Sequence, residues 1–217
     1  MASAPDKILA LRELLARRFP QACASGRGRC VTTGIPAIDD VSGGLPIGAV
    51  TEIVSSTPSA GSMLLLARVF AVCRAQNLRV ALIDGGNSFD PQSFTPDELA
   101  HLVWIRCRAL KQVMQVADLV VRDANFGLVV LDLRNQTERE LRREPSTGWY
   151  RLQRAAEQND LPLLIATPSA LIPSALLRFG LNHAFHLTDL DEPRHTLAEE
   201  LAVELHRQRR QIEQEAV

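Results

Sequence analysis

With 217 residues, 46% of them hydrophobic, the chain is long enough for one well-buried domain and has the composition of an ordinary globular protein. Its formal net charge of −1 excludes a global pull toward nucleic acid or membrane, so any such contact must come from a local patch. Four scattered cysteines (Cys23, Cys30, Cys73, Cys107) form no CxxC pair, which argues against a zinc site or a secreted disulfide scaffold. No apolar run approaches the ~20 residues of a membrane span. Residues 1–7 lack the basic-then-apolar order of a signal peptide, and a cytoplasmic protein without membrane contact is expected.

Residues 8–19 are helical by pattern, with Leu11, Leu14, Leu15 and Phe19 on one face and Pro20 as the stop. Residues 21–29 read as a polar linker, so this helix either folds back on its own domain or packs on another body. A helical turn is expected at 34–40, a glycine-rich turn at 42–48, a strand at 49–54 and a helix at 61–76. Residues 79–84 form a buried strand ending in Asp84, followed by Gly85 and Gly86. A strand at 101–107, a helix at 109–122 and a second buried strand ending in an acid, 128–132 with Asp132, come next. A helix at 147–158, a strand at 161–167 and a short strand at 184–187 follow. Residues 198–211 fit either period; a strand running into a polar tail is the preferred reading. The resulting layout is an N-terminal helix and linker at 1–28, a core domain at 29–207 and a polar tail at 208–217.

Strands that alternate with helices imply an α/β domain with a mostly parallel central sheet. These strands are apolar throughout, as expected when helices flank the sheet on both faces. Ligands of such sheets sit at the carboxyl ends of the strands, where Ser55, Asp84 and Asp132 fall.

Between the strand at 49–54 and the helix at 61–76 lies a stretch with the spacing of a phosphate-binding Walker A loop, GxxxxGK[ST]. Ser55 stands at the first glycine, Ala60 at the second, Gly61 at the lysine and Ser62 at the Ser/Thr, so only Ser62 fits. A working loop holds phosphate through backbone N–H groups, a lysine cation and a hydroxyl on Mg²⁺. Here the lysine is missing, Pro58 removes one N–H, and two glycines are replaced. Losing one desolvated charge-assisted contact costs roughly 1.5–3 kcal/mol of affinity.

The run Gly34-Ile35-Pro36-Ala37-Ile38-Asp39, followed by Gly43-Gly44-Leu45-Pro46-Ile47-Gly48-Ala49-Val50-Thr51-Glu52-Ile53, resembles the lead-in to the ATP-binding loop of the RecA recombinase superfamily. Ile83-Asp84-Gly85-Gly86-Asn87-Ser88-Phe89-Asp90-Pro91 resembles that family's next landmark, and the strand at 128–132, with Asp132, resembles its Walker B strand. Residues 163–167 and 175–179 resemble the last core strand and the segment beyond it, so the likeness spans about 8–207. It implies a RecA-like P-loop fold. Within the superfamily the chain is most similar to the ImuA-like accessory proteins of bacterial mutagenic translesion synthesis, with SulA-like division inhibitors as more distant relatives.

The resemblance also locates the losses. Gly86 stands where recombinases carry the glutamate that activates water, so no catalytic base is left there. Asp132 retains the Walker B position, but hydrogen bonding or capping is the preferred role for it and for Asp84, ahead of metal binding. No catalytic residue, metal or cofactor is expected, although weak ATP binding at the helix N-terminus stays open. Arg178 falls where recombinases present a lysine to the neighbouring subunit's nucleotide, and a surface role is expected for it.

Residues 134–154 cover the first DNA-binding loop of the recombinases. They hold Arg134, Arg139, Arg142, Arg143, Arg151 and Arg154 against three glutamates, with Trp149 and Tyr150 among them. Arginines neutralise phosphates and aromatics stack on bases, so the stretch is a candidate DNA or partner surface. The alternative is a salt-bridged loop with both aromatics on the core. The counterpart of the second DNA-binding loop, residues 168–173, is short, apolar and uncharged.

The functional expectation is a catalytically inert RecA-like accessory protein of the bacterial DNA-damage (SOS) response. It would bind a translesion polymerase-like partner and the RecA filament, touch DNA through the arginines, and form homo-oligomers through the N-terminal helix. The alternatives are an ATP-hydrolysing repair protein with a rewired loop, which needs a cation from elsewhere because Arg68 and Arg74 lie too far along the following helix, and a SulA-like inhibitor of FtsZ-dependent division.

Overall fold

A computed structural model describes residues 29–57, 60–123 and 125–209. The predicted helix at 8–19 and the tail beyond residue 209 lie outside the described residues. Short strands β1 (Cys30–Val31) and β2 (Leu45–Pro46) pair antiparallel and frame α1 (Pro36–Ser42). The lead-in motif explains this corner. The Asp39 carboxylate accepts from Thr33 N–H, Thr33 Oγ1 and Gly34 N–H at 2.7–2.9 Å, closing the turn before α1. Gly44 has φ +116°, and a β-carbon there would come within 2.3 Å of the Val31 carbonyl oxygen, so only glycine fits.

β3 (Val50–Val54) then enters the main sheet, followed by α2 (Ser62–Ala75) and β4 (Val80–Asp84). A 3₁₀ turn at Pro91–Ser93 and the short α3 (Pro96–Leu99) lead to β5 (Leu102–Arg106). α4 (Leu110–Arg122), β6 (Leu128–Asp132), α5 (Glu138–Arg143), α6 (Ser146–Gln158) and β7 (Leu163–Thr167) follow. The chain continues with β8 (Leu177–Leu181), a 3₁₀ turn at Leu187–Asp191, α7 (Arg194–Glu199) and β9 (Val203–Gln208). The sheet has seven strands in the order β5-β4-β6-β7-β3-β8-β9, parallel except for β9.

Both faces are covered. Val80, Leu82, Leu128 and Val130 point toward α2, where Leu66, Val69 and Phe70 pack on them. Their neighbours Ala81, Ile83, Val129 and Leu131 point the other way, toward Val113 and Ala117 of α4 and Leu152 and Ala156 of α6. β3, β4, β6 and β7 are buried at every residue, which accounts for the apolar runs of β4, β6 and β7 up to their polar last residues; β3 carries the buried Thr51 and Glu52 in its middle. No described helix is long and apolar enough to cross a membrane.

Two expectations are corrected. Residues 184–187 are not a strand; the strand on the side of β3 away from β7 is β8, Leu177–Leu181, which carries Arg178 and Gly180. Residues 134–154 are not one loop: the capping box of Thr137 and Glu140 starts α5, and Pro145 leads into α6. The preferred strand reading of 198–211 holds as the antiparallel edge strand β9, with 198–199 ending α7 and 210–211 outside the described residues.

His101, just before β5, gives the fold a pH dependence. Burial pushes its imidazole pKa down, and the nearby Arg74 charge adds to this. The folded state therefore favours the neutral ring, while the unfolded chain takes up a proton near pH 6.5. Stability is expected to fall as pH drops below about 6.5, and His101→Gln should flatten that limb in urea titrations at stepped pH.

Candidate functional site

The carboxyl ends of β4 and β6 form the switch point of the sheet. The chain leaving β4 turns outward to β5, with Phe89 and Phe94 packed in the α2-side core. The chain leaving β6 runs the other way to β7, with Leu141 and Trp149 in the opposite core. Such a point opens a crevice above the strands. Asp84 and Asp132 stand side by side there in register, 0% and 1% exposed.

The two acids are satisfied differently. Asp84 accepts from the N–H groups of Gly86, Ser88 and Phe89 at 3.0–3.2 Å and from Trp104 Nε1 at 3.3 Å. Asp132 is held by a cation: Arg134 donates through Nε at 2.8 Å and Nη2 at 2.5 Å, a fork on both oxygens. Ser88 Oγ completes the set, 2.6 Å from Asp132 Oδ2. Arg134 Nη2 also lies 3.1 Å from Met63 Sδ in the first turn of α2, so it ties β6 to the helix after the loop. Both Asp132 oxygens are thus committed to protein donors. No cluster of three or more His, Cys, Asp or Glu side chains able to hold a metal ion occurs among the described residues.

Gly86, expected from the resemblance at the base position, is closed over by Asn135. A β-carbon there would sit 2.5 Å from Asn135 Cβ.

The loop after β3 is equally occupied. Ser55 N–H donates to Thr167 O at 3.0 Å, tying the loop's start to β7. Ala60 and Ser62 are 1% and 7% exposed. Gly61 has φ +91°, and a β-carbon on it would lie 2.5 Å from Leu201 Cδ2 and 3.3 Å from the Phe185 ring. Gly61, expected from the motif spacing at the lysine position, is therefore roofed by two apolar side chains. Neither arginine of the following helix aims at it. Arg68 Nε donates to Gly34 O at 3.1 Å with Glu199 at 3.7 Å, and Arg74 pairs with Asp97 at 2.7 Å. A triphosphate with Mg²⁺ needs an open N–H cradle, a cation and a free carboxylate, and the described residues do not fit that requirement.

A cleft of about 270 Å³ lies beside this centre, between Met63, Leu64 and Ala67 of α2, Ser88, Asp90, Ser93 and Phe94 of the segment after β4, and Arg194. Burial pushes the thiol of Cys73, in α2, up to about 12, which keeps it protonated.

The β7 end holds a second buried ion pair. Glu52, 0% exposed, accepts from Thr167 Oγ1 at 2.9 Å, the Leu171 and Ile172 N–H groups at 2.9 and 3.1 Å, and Arg178 Nε at 2.5 Å. Arg178 Nη2 donates to Ile172 O at 3.0 Å. Arg178 is thus an internal residue, contrary to the surface role expected for it, because the Glu52 carboxylate draws it inward. The pair pins the short segment at 168–173 onto the sheet.

The arginine stretch is divided. Arg134 is turned inward onto Asp132, and Trp149 is 2% exposed on the buried stripe of α6, so neither belongs to a surface. Arg139, Arg142, Arg143, Tyr150, Arg151 and Arg154 are exposed. Of these, Arg142 is paired with Glu138 and Arg151 with Asp118. Sequence reasoning singled out Arg134 for the wrong role and left Ser88, Phe185 and Leu201 without one. The spacing of Trp149, Leu152 and Ala156 was the readable signal that Trp149 faces inward.

Comparison of the chain with protein-family models and with curated proteins found no match.

Proposed function

We propose that this chain is a RecA-like protein that does not turn over nucleotide and serves as an interaction module in the bacterial DNA-damage response. In this it resembles the ImuA-like accessory proteins of translesion synthesis. The observation that carries the reading is the packing of Leu201 and Phe185 over Gly61, in the loop that a RecA-like frame uses for phosphate. The Asp132–Arg134 fork and the Asn135 side chain against Gly86 support it from the metal and base positions. Support for the frame comes from the sheet order, in which β7 lies between the loop strand β3 and the Asp132 strand β6, and from the lead-in motif folded around Asp39.

The partners proposed are a translesion polymerase-like protein and the recombinase filament, in the cytoplasm, with homo-oligomers through the N-terminal helix. The exposed face of α5 and α6 is the proposed contact surface. With Arg134 and Trp149 withdrawn and two further arginines paired, it suits a protein partner better than bare DNA.

Binding of the purified chain to those two partners, with and without Mg-ATP, tests the proposal. Nucleotide-independent binding that is lost on deleting residues 1–20 is expected; a chain that ignores both partners would sink the reading. Restoring the motif lysine is a second check. Gly61→Lys forces a side chain into Leu201 at a left-handed φ and is expected to destabilise by about 2–4 kcal/mol without creating ATPase activity. Chemical denaturation and phosphate release read the two effects separately.

A further inference from the structure

An antiparallel pair such as β8 and β9 can be closed by a turn of about two to five residues. This chain instead spends residues 182–202 on the connection. The excursion is pinned at its base: Asn182 N–H donates to Ala202 O at 3.4 Å, and Ala202 N–H donates to His183 Nδ1 at 3.2 Å. Between those points it runs over the loop that follows β3. Phe185 and Leu201 descend on Gly61 from its two ends, with Leu201 only 3% exposed. α7 packs on α2 through Ala198, 2% exposed, and Glu199 reaches Arg68 at 3.7 Å. Arg194 bonds the Ser93 carbonyl, which carries the excursion to the segment after β4. Its charges are Asp189, Asp191, Glu192, Glu199 and Glu200 against Arg194.

We infer that residues 182–202 are a plug that closes the Gly61 end of the loop after β3 against anionic ligands. Two apolar side chains exclude water and ligand from the Gly61 position. The first turn of α2 is held by the chain itself. This deepens, and rests on, the reading of the loop as a phosphate loop that has lost its ligand.

Hydrogen exchange on the full chain tests the plug. In the wild type, amides 60–66 should exchange slowly and unchanged by inorganic pyrophosphate or Mg-ATP. In Phe185→Ala/Leu201→Ala the same amides should exchange about tenfold faster or more, while strands β4 and β6 keep their protection. A folded double variant with wild-type protection at 60–66 overturns the inference, and so does pyrophosphate protecting these amides in the wild type. Where the double variant does not fold, Phe185→Leu must still raise exchange at 60–66 by a smaller factor, and no rise overturns the inference. Failure to bind a polymerase or filament would remove the functional proposal and leave the exchange result standing, so the two are separable.

Discussion

Replacing Arg134 by alanine is expected to destabilise the protein by about 3–5 kcal/mol, because it leaves a buried carboxylate without its cation. The magnitude follows from the surroundings. Asp132 is 1% exposed and stands in register with Asp84, which is itself buried and held by neutral donors without a cation. Ser88 Oγ has one proton, already 2.6 Å from Asp132, and cannot replace a two-pronged guanidinium. Lysine cannot reproduce the fork either, so Arg134→Lys should recover only part of the loss. Making the acid neutral is the better rescue: Asp132→Asn in the Arg134→Ala background is expected to regain more than half. Urea unfolding of the single and double variants measures the coupling directly. An Arg134→Ala protein within 1 kcal/mol of wild type would mean the pair is solvated and the switch point open.

Arg178→Ala is expected to cost a similar ~3–5 kcal/mol through Glu52. That carboxylate would keep three neutral donors, Thr167 Oγ1 and the N–H groups of Leu171 and Ile172, with no charge to balance it. The effect should also be local. The Ile172 carbonyl loses the Arg178 Nη2 donor, so exchange should quicken first across residues 168–174. Glu52→Gln paired with Arg178→Met should restore most of the stability, since a packed neutral pair of similar volume often replaces a buried ion pair without loss. A destabilised but locally unchanged 168–174 segment would contradict the assignment of Glu52 as the anchor of that segment.

The sheet's centre was readable in the sequence because β4, β6 and β7 are buried on both sides and therefore written as apolar runs, while β3, with Thr51 and Glu52 inside it, was found through the motif around it. β8 was hidden for the opposite reason. Its Arg178 looks unfit for an interior strand until Glu52, distant in sequence, is seen to neutralise it. Its Gly180 looks like a breaker, yet a β-carbon there would strike the His206 ring of β9 at 2.1 Å. The alternation of Ala184, Phe185, His186 and Leu187 imitated a strand, but Phe185 faces Gly61, a contact that no local period encodes.

The candidate site was legible as a set of places in the fold and illegible as a set of partners. Motif spacing put Ser55 just after β3, Gly61 at the start of α2, Gly86 just after β4 and Asp132 at the end of β6, where the structure has them. The replacements came from elsewhere in the chain. Arg134, two residues past Asp132, is near in sequence but was counted with the arginines around it. Leu201 reaches Gly61 only because the β8–β9 connection folds back across the loop.

If residues 182–202 close a RecA-like phosphate loop, as proposed, the chain holds no nucleotide. Titration of the wild-type chain with labelled ATP and Mg²⁺, followed by a turnover assay on the same sample, decides this: no saturable binding in the micromolar range and phosphate release at the blank rate are expected. Micromolar binding with turnover above blank would overturn the proposal.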